Sequence, residues 1–312
     1  MKKYSIRINA FVALALMLAS CSANDVEDIV QNGDIQKITV SVKDYGMDNY
    51  SQESRTYFNP SGNSFSWLAD DVIGIFPENG AQLPFAMSSG AGTSTATITG
   101  GSWGLKATEE YAAYYPFSKQ NYFTDRGNIH FNYVGQEQTG DNSTMHLGMF
   151  DLMAADNAQA NGDNLHFEFK HLGCIFNLKV TIPFAGTYSS VTLTADEALF
   201  ASEVKLDLTQ AKAQVSAVEM SKTMTLALTD FTTPTDNYKA NLYLMCSPCD
   251  LQGKTIKLKL KSANGYTYSC DKTFSNIYTA GKRYGFTFNS LTKDNNPSIG
   301  VGGEFETSEE EM

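Results

Sequence analysis

The chain has 312 residues, of which 42% are hydrophobic, and a formal net charge of −11. Its length suits about two domains of ~150 residues each. The acidic excess argues against nucleic acid as a partner, which needs a basic footprint, and against docking on anionic lipid through a basic patch.

At the N-terminus Lys2, Lys3 and Arg7 precede an apolar run over residues 10–19 that leads into Leu18-Ala19-Ser20-Cys21. A basic start, a short apolar run and small residues before a cut are the features of a secretory signal. The Leu-Ala-Ser-Cys sequence resembles the bacterial lipobox, which implies that residues 1–20 are a removable lipoprotein signal peptide and that Cys21 is the acylated first residue. The apolar run is far shorter than the ~20 residues that span a bilayer. Membrane attachment is therefore expected through lipid alone. Residues 21–35 carry Asp25, Glu27, Asp28 and Asp34 with no basic residue, and read as an acidic, solvated tether. An acidic cluster behind a lipidated cysteine is similar to the signal that sends some envelope lipoproteins to the outer cell surface. The expected location is the outer membrane, facing outwards.

Beyond the tether the dominant signal is period-two alternation in short runs rich in β-branched and aromatic residues, the mark of half-buried strands. Ile38, Val40 and Val42 alternate with polar residues; so do Phe167 and Phe169, and then Ile256, Leu258 and Leu260. In the last run Lys257, Lys259 and Lys261 share the opposite face, which must be the solvent face. Turn signals separate the runs: Asn59-Pro60-Ser61-Gly62, Gly100-Gly101, and Asn264-Gly265 as a hairpin signal. The alanine-rich stretch 197–218 still contains the strand-like Val204-Lys205-Leu206-Asp207-Leu208. The expected fold class is all-β, of sandwich type. A crowding of Asn, Ala, Gln and Gly over residues 156–164 suggests a domain boundary, giving an N-terminal domain 36–163, a C-terminal domain 164–291 and an acidic tail 292–312.

An ordered series of motifs resembles the fimbrillin-like lipoproteins, the major and minor fimbrial subunits. It runs from Ser54-Arg55-Thr56 through Phe65-Ser66-Trp67 and Asp70-Asp71-Val72-Ile73-Gly74-Ile75-Phe76 to Tyr111-Ala112-Ala113-Tyr114-Tyr115-Pro116-Phe117. It continues with Gln136-Glu137-Gln138, Asp151-Leu152-Met153-Ala154, Phe167-Glu168-Phe169-Lys170-His171 and Ala280-Gly281-Lys282-Arg283-Tyr284-Gly285-Phe286. Ala69-Asp70 departs from the usual Gly-Asp, so a changed turn is expected there, with Asp71 supplying the acid. The resemblance implies two tandem transthyretin-like β-sandwich domains and an extracellular structural role, with other subunits as partners. It further implies assembly by strand exchange, in which an arginine-specific cut releases an N-terminal strand and a neighbour's strand fills the groove. Strand addition would satisfy unpaired backbone and cover apolar surface at once.

Mapped onto this chain, Ile38, Val40 and Val42 mark the removable strand, and Arg55 with Thr56 the processing point. The other reading of Arg55 is a surface cation at the start of a strand, and Lys37 and Lys43 offer further basic sites. The donor strand would fall in the tail, with Ile299, Val301 and Phe305 as its apolar positions. Three glycines lower the strand propensity of that tail, which leaves a tip, accessory or non-polymerising subunit open beside a stalk subunit.

Cys246-Ser247-Pro248-Cys249 is the one motif with redox or zinc-binding spacing. It lies between strand-like runs rather than at a helix N-terminus, and a zinc site would need Cys174 and Cys270 to converge on it. Buried or disulfide-bonded structural cysteines are the preferred reading. His166 and His171 are an odd number apart and fall on opposite faces of one strand; His171 shares the face of Phe167 and Phe169, as a hydrogen-bonded core or interface histidine would. An HExxH pair and a phosphate-binding glycine loop are missing from the sequence, and no cofactor, metal or enzyme activity is expected. The sequence leads to a fimbrial subunit or adhesin, its partners other fimbrial subunits joined by β-strand addition, and host or bacterial surface ligands. The alternative is a surface glycan-binding lipoprotein of a nutrient-uptake system, with Tyr122 and Phe123 as candidate stacking aromatics.

Overall fold

The structure, a computed structural model, describes residues 34–44, 46–47, 65–99, 103–122 and 124–294. Cys21, Arg55, Thr56, Ile299, Val301 and Phe305 lie outside the described residues. The fold is all-β, as expected: the described residues form 23 strands, one four-residue α-helix and one short 3-10 turn. None of the helices among them is long and apolar enough to cross a membrane.

The first ten strands are β1 (Lys37–Val42), β2 (Gly46–Met47), β3 (Val72–Pro77), β4 (Leu83–Ala86), β5 (Thr95–Thr99), β6 (Glu110–Tyr115), β7 (Ile129–Asn132), β8 (Gln136–Thr139), β9 (Met153–Gln159) and β10 (Asn164–His171). Seven of them make one sheet in the order β4-β3-β6-β9-β10-β1-β5. Only the β1–β10 pair is parallel. Beyond β4 the chain bonds back to β5, with Ser88 N–H donating to the Thr97 carbonyl at 2.9 Å and Thr97 N–H to that of Ser89 at 3.0 Å. The two ends of the strand series are thereby joined around an apolar core that includes Ile38, Val40, Trp67, Ile75, Tyr111 and Phe169. The Ile-Gly-Ile motif has a steric cause in this lobe: a Cβ on Gly74 would stand 2.3 Å from the Tyr114 ring.

The remaining strands are β11 (Cys174–Ile182), β12 (Gly186–Thr194), β13 (Phe200–Asp207), β14 (Gln214–Ser221), β15 (Thr223–Thr229), β16 (Thr232–Thr233) and β17 (Tyr238–Cys246). They are followed by β18 (Cys249–Asp250), β19 (Thr255–Ser262), β20 (Thr267–Thr273), β21 (Ile277–Tyr278), β22 (Lys282–Phe288) and β23 (Thr292–Lys293). A sheet β17-β11-β22-β2 faces a sheet β23-β20-β19-β12-β15-β8. Their inward residues, Phe176, Leu178, Leu242, Leu258, Leu260 and Phe286 among them, form a second core. The alternation read from sequence is present: β19 buries Ile256, Leu258 and Leu260 and exposes its lysines, and Asn264-Gly265 turns the β19–β20 hairpin.

The two lobes are interlocked rather than strung in series. Strands β2, β7 and β8, all from the first half of the chain, pair with β22, β13 and β15 of the second. A third core, with Phe76, Tyr114, Leu152, Ile175, Val204 and Tyr243, draws on both halves. The expected boundary between residues 163 and 164 falls in the hairpin that joins β9 to β10, two strands of one sheet.

Strand β8 shows how period-two spacing is used. Its backbone pairs with β15, while the alternate side chains Gln136 and Gln138, both buried, point at the free edge of β17. Met245 N–H donates to Gln136 Oε1 at 2.8 Å and Gln136 Nε2 donates to the Met245 carbonyl at 2.7 Å. Tyr243 N–H donates to Gln138 Oε1 at 2.9 Å and Gln138 Nε2 to the Asn241 carbonyl at 3.0 Å. Two side-chain amides thus take the place of a neighbouring strand and close an edge that would otherwise accept one.

Candidate functional site

Strand β1 lies inside the first sheet. Its six residues pair with β10 on one side, from Lys37 opposite Asn164 to Val42 opposite Phe169. On the other side five of them pair with β5. Ile38, Val40 and Val42 are buried in the first core, while the residues between them are exposed or half-buried. Taking β1 away would leave the facing edges of β10 and β5 unpaired and open an apolar slot between them, which a strand of the same alternation would fill.

The two ends of β1 are held by side chains. Just before the strand, Asp34 pairs with Lys106, and Ile35 N–H donates to the Leu105 carbonyl at 2.9 Å. Just after it, Lys43 pairs with Glu168 at 2.7 Å. Along the outer face Thr39 bonds the His166 ring at 2.9 Å.

His171, at the end of β10, fixes the exit of β1. Its Nε2 lies 2.6 Å from the Lys43 carbonyl, and its Nδ1 2.9 Å from Asp151. A carbonyl oxygen only accepts, so Nε2 donates to Lys43, and Nδ1 is left to Asp151. Both His171 and Asp151 are buried. The core-histidine expectation for His171 agrees with this placement, and His166 faces solvent from the opposite side of the strand.

Phe65 and Trp67 return the chain to the same region. The Phe65 ring lies 5.7 Å from His171, and Trp67 packs edge-on against Tyr115 and Phe169 at 5.4 and 5.5 Å. The altered Ala69-Asp70 turn is closed by Asp71, whose Oδ2 accepts Leu68 N–H at 2.7 Å while Oδ1 accepts the Tyr115 hydroxyl at 2.7 Å. Burial raises the Asp71 carboxyl above its ordinary value, opposed by these two bonds. The described residues on either side of residues 48–64 are thus held in different places, β2 on β22 of the second lobe and Phe65 and Trp67 in the first core.

Other candidates are scattered. His130 lies 2.5 Å from Glu203, and His146 Nε2 2.9 Å from the Tyr243 carbonyl, where burial lowers its pKa. Among the described residues no group of three or more His, Cys, Asp or Glu could hold a metal ion. Cys174 and Cys246 are brought together, whereas Cys270 sits on β20 opposite Leu258. Of the two candidate stacking aromatics Tyr122 is exposed and Phe123 lies outside the described residues. An open pocket of about 490 Å³ is lined by Asp70, Phe117, Gln120, His130, Asn132 and Met149 among others. Sequence reasoning missed this pocket, because its walls come from segments up to 80 residues apart, residues 70 to 150.

Among solved structures, the chain is similar to a candidate cell adhesion protein from Bacteroides ovatus, with 16% identity, 83% of this chain and 95% of the other covered, and a TM-score of 0.49. It is also similar to a candidate cell adhesion protein from Bacteroides uniformis, at 15% identity, 73% and 92% coverage and a TM-score of 0.47. A fimbrial protein from Bacteroides ovatus aligns at 13% identity over 83% of this chain and 49% of its own, with a TM-score of 0.36. No curated protein matches the chain. The fimbrillin-like family matches over residues 54–302, well over half of the sequence. The chain belongs to the fimbrillin-like family.

Proposed function

We propose that the protein is a surface lipoprotein that serves as a fimbrial subunit or adhesin and joins other subunits by protease-triggered strand exchange. Until it is cut, it is held at the outer membrane through acylated Cys21 after removal of residues 1–20. Cleavage between Arg55 and Thr56 would release β1 with Ile38, Val40 and Val42, and a neighbour's tail strand carrying Ile299, Val301 and Phe305 would enter the vacated slot. Each lobe would be one transthyretin-like sandwich, the second starting at β11 once β10 is assigned to the first sheet. The observation that supports this reading is the position of β1: paired on both sides, apolar on its inner face, and followed by the segment that contains Arg55, so that a cut there would separate β1, together with β2 on β22, from the chain after Arg55.

The test treats the folded chain with an arginine-specific protease and follows it on unheated detergent gels with N-terminal sequencing. A ladder of stable multimers whose subunits begin at Thr56 supports the proposal. A chain that is not cut at Arg55, or that is cut and stays monomeric, overturns strand exchange as its mode of assembly.

The pocket beside Asp70 and Phe117 favours a second reading, a surface glycan-binding lipoprotein. Aromatic and aliphatic faces edged with carboxylate, amide and imidazole groups suit a saccharide. Saccharide binding by the uncut monomer, lost in Phe117→Ala, would support it; no binding across a glycan panel would remove it.

A further inference from the structure

Strands β11 and β17 run antiparallel with Cys174 directly opposite Cys246. The two sulfurs are 3.2 Å apart, and both residues are buried. Directly opposed residues in an antiparallel pair have Cα atoms about 4.5 or 5.5 Å apart. Either spacing falls within the ~4.4–6.8 Å that a disulfide spans, so the bond can close without moving a strand. Neither thiol is open to an oxidant from solution.

Cys249 supplies the access. It follows Cys246 across the Ser247-Pro248 turn, is half-exposed, and lies near enough to add to the rise that burial imposes on the Cys246 thiol's pKa. It lines an open cleft of about 400 Å³ with Leu199, Met220 and Pro248. The Tyr133 hydroxyl, buried with no hydrogen-bond partner, stands beside Gly173 and the Cys246 backbone.

We propose that Cys174 and Cys246 form a disulfide and that Cys249 is the entry thiol, which takes the oxidising equivalent from an external disulfide and passes it inward. The Cys249 thiolate attacks one sulfur of the external disulfide, whose S–S bond breaks and releases one external thiolate. Cys246 gives up its proton and attacks the Cys249 sulfur, which expels the second external thiolate and leaves a Cys246–Cys249 bond. Cys174 then attacks the Cys246 sulfur, and Cys249 departs as a thiolate that regains a proton. The balance is one external disulfide reduced to two thiols and two protein thiols oxidised to one disulfide. The physiological setting rests on the exported location proposed above, since such bonds persist outside the reducing cytosol; the chemistry in the tube does not.

The test reduces the full chain, removes the reductant, adds oxidised glutathione, and quenches samples over time with acid and alkylating agent before tryptic mapping. Residues 171–179 should become linked to residues 240–254. Fragment ions should place the bond on Cys246 and leave Cys249 and Cys270 alkylated. Cys249→Ser, a change at a half-exposed position, should give the same product at least about tenfold more slowly, because the buried pair then has to be reached without an entry thiol. Full alkylation of Cys174 and Cys246 after prolonged oxidation, or a final bond on Cys249, overturns the disulfide. An unchanged rate in Cys249→Ser overturns the relay. None of these outcomes depends on subunit assembly, so this inference and the strand-exchange proposal can fail separately.

Discussion

In each lobe a strand from far away in sequence lies parallel to its neighbour, β1 on β10 and β22 on β11, yet the two are held differently. In the first lobe β1 sits between β10 and β5 and is followed by a segment that carries β2 across to β22. In the second lobe β22 lies parallel to β11, with only the two-residue β2 on its other side. The exposed edge of that second sheet, β17, is closed by Gln136 and Gln138. A fold that keeps one strand replaceable has to close its other edges, or exchange would occur at the wrong place. The glutamine pair is as much a part of the strand-exchange reading as β1 itself.

The largest test of this contrast truncates one inward side chain in each lobe. Phe286→Ala should cost about 3–5 kcal/mol and Ile38→Ala about 2–5 kcal/mol in the uncut chain, from lost burial plus the cavity left behind. After Arg55 cleavage and assembly, Phe286→Ala should still destabilise and Ile38→Ala should not. Denaturant melts of cut and uncut forms check this; a cost for Ile38→Ala that persists after assembly would mean that β1 never leaves. Next in size is Gln138→Leu, which removes the partner of Tyr243 N–H and of the Asn241 carbonyl. Leaving such groups unpaired costs on the order of 2 kcal/mol, and the freed edge of β17 should promote association, visible by light scattering in the uncut protein.

How much of this was legible in the sequence follows from range. Alternation is a local property, and β1, β10 and β19 were readable from it. The inner face of β1 was named from Ile38, Val40 and Val42 alone, and those residues are buried. Pairing is not local. Nothing in residues 37–42 states that they lie against residues 164–169, and nothing in Gln136-Glu137-Gln138 states that the amides finish the edge of β17. The Asn, Ala, Gln and Gly run near residue 160 reads as a linker because tight turns use the same residues; here residues 156–159 are strand and the turn belongs to the β9–β10 hairpin. In the Cys-Ser-Pro-Cys motif the eye goes to the short spacing, whereas the sulfurs that meet are 72 residues apart.

A smaller effect is expected at His171. His171→Ala removes the donor to the Lys43 carbonyl and the partner of Asp151. The loss should be about 1–3 kcal/mol, concentrated at the exit of β1. Hydrogen exchange at Val42 and Lys43 should quicken and cleavage at Arg55 should proceed faster, while amides of β22 keep their protection. Equal loss of protection in both lobes would show that His171 serves the general core instead of the strand end.

The last comparison is alkaline. Burial pushes Tyr111 of the first core, Tyr243 of the shared core, and Tyr188 and Tyr278 of the second core up to about 12. Their ordinary value is about 10, so the folded state holds these protons more tightly than the unfolded chain does. The stability this contributes is complete below pH 10 and is lost as the pH rises from 10 to 12. Phenolate absorbance and the loss of β-sheet ellipticity should therefore rise together in that window, where freely exposed tyrosines would titrate first and leave the fold intact. Tyr278→Phe keeps the ring in the second core and removes one ionising group, so its alkaline midpoint should move up slightly. A phenolate midpoint near pH 10 with the ellipticity unchanged would show that solvent reaches these rings.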